Sequence, residues 1–271
     1  MRLSIIIPSY KDPYLTKTIE DILKNSELGN SLEVIAVFDG YWPDFKLVED
    51  PRVRYVHRGS NGGMRRSINT GMNIARGDFV GRLDEHCCFA KGFDKVLTDE
   101  CKENWILTPR RYYLDPVKWE VIKDKGFVDY EDLTIQQVSE GVRKFAGRPN
   151  HEKTKARKDI MVDKKTAMQG SFWIMPRKWW KKHIGELQTD GYGPLIQDSV
   201  EVSMKTWQAG GELMLTKNTW YSHKHRSFSR THSNGTIENP SKDNDGYAYS
   251  LKQWEQYYKD VLLPKWKNEE N

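Results

Sequence analysis

The sequence has little of what makes a disulfide scaffold, a zinc module or a membrane protein. Its 271 residues hold three cysteines, the neighbours Cys87 and Cys88 plus Cys101, a spacing that fits neither a disulfide framework nor a tetrahedral zinc site. No apolar run approaches bilayer-spanning length. The opening Met1-Arg2-Leu3-Ser4-Ile5-Ile6-Ile7-Pro8 has neither a basic leader nor a small-residue cleavage site. These absences predict a soluble protein of a reducing compartment, the cytoplasm. No internal repeat is present. The formal charge of +5 is small, and it is local: residues 143–165 carry nine lysines and arginines against three acids. With Gly147, Pro149 and few large apolar groups, that segment reads as a mobile basic loop. It is either a solvated loop or a clamp on something anionic, with Lys153, Lys155, Arg157 and Lys158 as candidate contacts to an acceptor or to DNA.

What is present is a succession of buried strands and one-faced helices. Leu3 to Ile7 is a β-branched run ended by Pro8. Asp12-Pro13 then reads as an N-cap and first turn of a helix whose apolar face is Leu15, Ile19, Ile22 and Leu23. Val34 to Phe38 is a second strand delivering Asp39-Gly40, and Arg52 to Val56 a third. Asn61-Gly62-Gly63 leads into a helix with Met64, Ile68, Met72 and Ala75 on one side, and Gly77-Asp78 turns the chain into a strand ending at Leu83. This β-α-β-β-α-β order, with strands apolar on both faces, predicts an α/β three-layer architecture around a mostly parallel sheet. Further along, a helix over 91–99, strands over 105–108 and 167–175, a helix over 197–209 and a strand over 212–216 are expected, with 220–226 following it, then a polar connection and a terminal helix near 249–262. Residues 115–161 receive no assignment. The domain boundaries drawn from this are 1–226, with 1–90 as its first half, and an extension over 227–271.

Polar residues gather at the carboxyl ends of the strands, where an open α/β sheet keeps its chemistry. Asp84-Glu85-His86 places a carboxylate and an imidazole two residues apart, able to turn to one divalent cation or simply to meet water. His223 or His225, just past a strand, would complete such a site. A mixed carboxylate and imidazole set suits Mn²⁺ (or Mg²⁺) rather than a closed zinc site. Asp39 is either a cap after its strand or an acceptor for a uracil imide or ribose hydroxyl. Asn61-Gly62-Gly63 with Arg65 beside it is a turn or an anion cradle. Asp198 and Glu201 share a helix face, either as a base for an acceptor hydroxyl or as charges complementing the helix dipole. Ten tryptophans imply a largely aromatic core, with one or two, Trp173 among them, as a stacking platform for a sugar or base.

The order of these motifs resembles the nucleotide-sugar half of the GT-A glycosyltransferases of the family 2 type: Ser4 to Tyr10, Val34 to Gly40, Asn61 through Asp78, then Leu83-Asp84-Glu85-His86. Asp84-Glu85-His86-Cys87 is similar to the Asp-x-His-Cys form of polypeptide N-acetylgalactosaminyltransferases. So is Trp207-Gln208-Ala209-Gly210-Gly211-Glu212-Leu213 followed by His223 and Arg226. The resemblance covers roughly residues 3 to 226, apart from 115–161. It implies a glycosyltransferase that uses a nucleoside diphosphate sugar with uridine as the nucleoside, residues 1–90 being the nucleotide-binding half. Pro8, Tyr10, Asp39, Asn61, Gly62, Arg65, Arg82, Asp84, Gly170 and Arg226 would line the donor. Asp84, His86 and His223 would hold Mn²⁺, and Asp198 and Asp84 would act in catalysis. Asp198 stands where that family has a glutamate. The chain shows no signal anchor and no lectin domain, so a secretory role on mucin-like proteins is not expected. Acceptors consistent with the basic segment are hydroxymethylated bases of phage-type DNA, with a surface polysaccharide or glycolipid precursor as the alternative. A non-catalytic nucleic-acid-binding module on the same shell is the reading from another class.

Overall fold

The computed structural model describes residues 2–193, 197–225 and 244–270. Strand β1 (Leu3–Ser9) leads to α1 (Leu15–Asn25), β2 (Leu32–Asp39), β3 (Val53–Arg58), α2 (Met64–Ile74), β4 (Phe79–Leu83), β5 (Cys87–Phe89) and α3 (Phe93–Glu100). The chain continues through β6 (Trp105–Asp115), the two-residue strands β7 (Glu120–Val121) and β8 (Phe127–Val128), β9 (Glu131–Ser139), β10 (Val142–Pro149), α4 (His151–Ala156), β11 (Val162–Lys164) and β12 (Phe172–Pro176). Then come α5 (Arg177–Trp179, wound on as a wider turn to Ile184), α6 (Asp198–Gln208), β13 (Glu212–His223), α7 (Asn244–Tyr257) and α8 (Leu263–Glu270).

The main sheet runs β11-β13-β6-β12-β4-β1-β2-β3. Strands β3, β2, β1 and β4 are mutually parallel, and β12 enters antiparallel between β4 and β6. Because β1 is followed on one side by β2 and on the other by β4, the direction of winding reverses there, opening a crevice at the carboxyl ends. Its two faces are buried separately. Ile5, Ile7, Val34 and Ala36 meet Leu15, Ile19 and Ile22 of α1 on one side, while Ile6, Ile35 and Val37 meet Ile68 and Met72 of α2 on the other. That two-sided burial is why strands 1 and 2 read as unbroken apolar runs.

Three sequence expectations are corrected. The basic 143–165 segment is not a loop. It supplies β10 of an antiparallel hairpin with β9, the helix α4 and the strand β11. Leu133 and Phe145 anchor the hairpin in the core beside Tyr258 and Leu262, so alternation of single large apolar residues was enough to build it. The strand expected over 212–216 is longer: β13 runs on to His223, with an irregularity between Thr216 and Trp220. Trp173 is no stacking platform: it is wholly buried, stacked on Trp180 at 6.0 Å between centroids.

Candidate active site

The motif at residues 84–86 divides its labour. Glu85 is buried and accepts the Tyr10 backbone N–H at 2.6 Å, while its own carbonyl accepts from the Thr18 hydroxyl at 2.7 Å. Locking the middle residue to β1 and α1 leaves its neighbours Asp84 and His86 to face the crevice. β5 then pairs antiparallel with β13, setting Cys87 opposite His223, and His86 O accepts from the Lys224 backbone N–H. One strand pairing thus brings His223 across 139 residues to Asp84, with Nε2 and Oδ2 3.1 Å apart.

Asp84, His86 and His223 can each offer a ligand atom within 4.8 Å of the others. The 3.1 Å separation of the Asp84 and His223 atoms is also about that of adjacent ligands on one small dication with bonds of ~2.1 Å. His86 turns its Nδ1 to Asp12 Oδ2 at 3.0 Å, so a buried carboxylate orients the ring and leaves Nε2 for the cluster, as outer-shell acids do for metal-binding histidines. Burial pushes the His223 imidazole down to about 4, against the upward pull of Asp84, so the ring is neutral at pH 7. Burial also opposes ionisation of Asp84, but Arg82 and His223 outweigh it and hold the carboxyl far below the usual range. An ionised carboxylate and a neutral imidazole are the states a hard-to-borderline dication needs.

Arg82, Asp84, Gly170, Asp198 and His223 line a single cavity of about 320 Å³ together with Arg111, Glu131 and Ser171. Arg82 Nη2 pairs with Asp84 at 2.7 Å, its Nε lies 3.8 Å from Asp198 Oδ2, and its Nη1 donates to Gly170 O. Three buried polar atoms here, Arg82 Nε, Asp198 Oδ2 and His223 Nδ1, have no hydrogen-bond partner among the described residues. Such groups are rare in folded interiors and cluster where a ligand binds.

Other sequence candidates are placed elsewhere or otherwise engaged. Asp39 accepts from the Gly62 and Gly63 backbone N–H groups at 2.9 and 2.7 Å, with Arg58 at 3.5 Å. The glycine turn therefore closes on a protein carboxylate, and Gly62 is not free to cradle an outside anion. Asn61 reaches back to Asp39 O at 3.3 Å. The same approach explains Gly40: it has φ +73, and a Cβ there would lie 2.1 Å from Asn61 N. Arg65 is fully buried, bonded to Glu201 and to Gln188 O and stacked over Tyr192, so it and Glu201 are a core ion pair and not donor contacts. Pro8 and Tyr10 lie at the β1 end of the crevice, Pro8 beyond the last rung to β4 and Tyr10 edge-on to Tyr41. His225 stacks on Tyr113 outside the cluster, and Arg226 lies outside the described residues.

The basic residues point away from this cavity. Lys153 and Arg157 line a separate one of about 690 Å³ in which Arg157 is bonded to Asp163, and Lys164 and Lys265 to Glu212 and Glu269. Although larger, that cavity holds opposite charges already matched to one another. Lys155 and Lys158 are exposed.

The sequence profile of glycosyl transferase family 2 matches residues 4–184. This chain belongs to that family. Among its relatives, EpsJ of Bacillus subtilis, described as an uncharacterized glycosyltransferase, is 32% identical over 110 residues, 38% of this chain and 31% of its own. Mouse polypeptide N-acetylgalactosaminyltransferase 12 is 23% identical over 232 residues, 78% of this chain and 38% of its own. This family 2 chain thus spans about a third of the length of these curated relatives. Its fold matches that of GalNAc-T7, solved with UDP, GalNAc and Mn²⁺, with a TM-score of 0.71 at 17% identity over 96% of this chain and 50% of the other. A weaker match is TarS of S. aureus, with a TM-score of 0.53 at 14% identity over 83% of this chain and 60% of the other. These matches establish the GT-A architecture.

Two site residues escaped the sequence. Asp12 reads as a helix cap, and it does accept the Tyr14 N–H at 2.9 Å, but its other oxygen serves His86. Arg111 follows Arg110 directly, and nothing in the string tells which of the two faces the site.

Proposed function

We propose that the chain is a metal-dependent glycosyltransferase that moves a sugar from a nucleoside diphosphate sugar, of the UDP type, to an acceptor hydroxyl. The observation that carries this is the meeting of Asp84, His86, His223, Arg82 and Asp198 around one cavity at the winding reversal of the sheet. Asp84, His86 and His223 would hold Mn²⁺ or Mg²⁺, which when bound would supply positive charge for the leaving diphosphate. Arg82 ties Asp84 to Asp198, so the metal-binding carboxylate and the carboxylate that faces the acceptor keep a constant relation. Asp198, at the first turn of α6, accepts a hydrogen bond from the acceptor hydroxyl and takes its proton as the new bond forms. Pro8, Tyr10 and Asp39 form the nucleoside end and Gly170 the sugar end. The relative solved with UDP, GalNAc and Mn²⁺ supports this donor and ion.

Among the described residues no helix is long and apolar enough to cross a membrane, and three buried free cysteines accord with a cytoplasmic setting. Of the acceptor readings, hydroxymethylated DNA draws on the basic segment, where Arg143, Arg157 and Lys164 are already paired to acids. A surface polysaccharide or glycolipid precursor does not need that charge, and we favour this class. A panel of nucleotide sugars with Mn²⁺, read as release of nucleoside diphosphate, tests the proposal. Metal-dependent release from at least one donor is expected, and none from any donor would leave the nucleic-acid-binding alternative. Including hydroxymethylated DNA at low and high salt tests the DNA acceptor, whose binding must fall steeply with salt.

A further inference from the structure

Arg110 and Arg111 are neighbours on β6 with opposite surroundings. Alternation along the strand turns Arg110 to one face, where Asp129 grips its guanidinium at 2.8 and 2.7 Å and the Phe127 ring lies 3.9 Å away. Arg111 lines the cavity of Asp84, Asp198 and His223. Among the described residues its guanidinium has no hydrogen bond and no ion pair, and its one aromatic neighbour, Tyr113, is 5.9 Å off. The bases Lys165, His223 and His225 feel it only as a repelling charge. A half-buried arginine that pairs with no carboxylate among the described residues is matched to an anion from outside, and its planar fork fits carboxylate or phosphate.

Its place in the sheet says which substrate brings that anion. The crevice that would take the nucleotide opens between β1 and β4, whereas Arg111 sits on β6, with β12 standing between. Its wall of the cavity also holds Glu131 and Gly147 of the hairpin, and Gly147 leaves that side free of a side chain. We infer that Arg111 binds a carboxylate or phosphate of the acceptor, so that the acceptor class is an anionic hydroxyl compound held with its hydroxyl toward Asp198. This rests on the transferase reading above.

The test pairs neutral with anionic acceptors: glucose with glucose 6-phosphate, and methyl glucoside with methyl glucuronide, each offered with the donor the wild type turns over. The wild type is expected to prefer an anionic member, the phosphate and carboxylate arms telling which group is recognised. Arg111→Gln should lower kcat/KM for the preferred anionic acceptor about 10- to 100-fold, the range for losing a hydrogen-bonded charge, and collapse the preference within its pair. Arg111→Lys, which keeps the charge and loses the fork, should retain part of the preference and shows that loss is not misfolding. Equal losses on both members of a pair, a higher KM for the donor as the main effect, or no preference in the wild type would overturn the inference and leave the transferase reading standing. No turnover of any donor would overturn both.

Discussion

The two sides of the crevice treat their polar groups differently. On the β1–β2 side they are matched within the protein: Asp39 with Gly62 and Gly63, Glu85 with Tyr10, Asp12 with His86, Arg65 with Glu201. On the β6–β12–β13 side, Arg111, Asp198 Oδ2 and His223 Nδ1 face the cavity with no hydrogen-bond partner among the described residues. The first side is a preorganised frame whose charges hold loops in place, and the second keeps its charges for what binds. Loss of a polar group should therefore read out as stability on one side and as chemistry on the other.

The largest effect should come where the sides join. Asp84→Asn keeps the shape but removes the charge shared by Arg82 and the metal cluster. Nucleotide release should fall about a thousandfold, several kcal/mol of transition-state charge. The melting temperature should fall as well, because the buried Arg82 is left with Asp198 at 3.8 Å. Substitution inside the frame should affect stability alone. Arg65→Met leaves the buried Glu201 with Lys205 as its remaining cation, beside the Gln188 N–H, and should cost about 3 kcal/mol in urea unfolding, while kcat of the folded fraction is kept. Asp12→Asn sharpens the comparison, since this frame residue touches the cluster: Mn²⁺ affinity should weaken about 10- to 100-fold by calorimetry, a loss that a purely structural residue would not produce.

The smallest effect concerns Lys165, buried behind the cavity with its ammonium 3.3 Å from the Thr108 hydroxyl. Burial pushes it down to about 8 from 10.5. Below pH 8 the folded state holds an ammonium that burial disfavours. Between pH 8 and 10.5 it releases the proton before the unfolded chain does, so stability rises with pH across that window. Lys165→Met should add about 1 kcal/mol at pH 7, and the gain should shrink as pH passes 8. A constant gain would mean that the charge is not what burial penalises.

The first ninety residues were legible because local signals and tertiary environment agree there. Runs such as Val34 to Phe38 are apolar on both faces, and α1 and α2 carry one apolar stripe each. The hairpin β9–β10 was not, because its strands are mostly polar and half exposed, leaving only Leu133, Ile135 and Phe145 to mark the buried side. The turn Glu140-Gly141, with Gly141 at φ +73, was the missed signal. In the same way, counting lysines and arginines over 143–165 showed an excess but not the acids brought to them by folding, such as Glu255 on α7 and Glu212 on β13.

By itself the sequence determined the parallel core, the strand ends that carry Asp39 and Asp84, and the family, because apolar periodicity and motif order are properties of neighbouring residues. Only the tertiary structure decided that Arg65 and Trp173 belong to the core and that Arg111 rather than Arg110 faces the cavity, and it alone shows how His223, which the resemblance implied, reaches Asp84. Those outcomes depend on a pairing between β5 and β13, on burial, and on which face of a strand meets which neighbour. All of these are set by contacts between residues far apart in the chain.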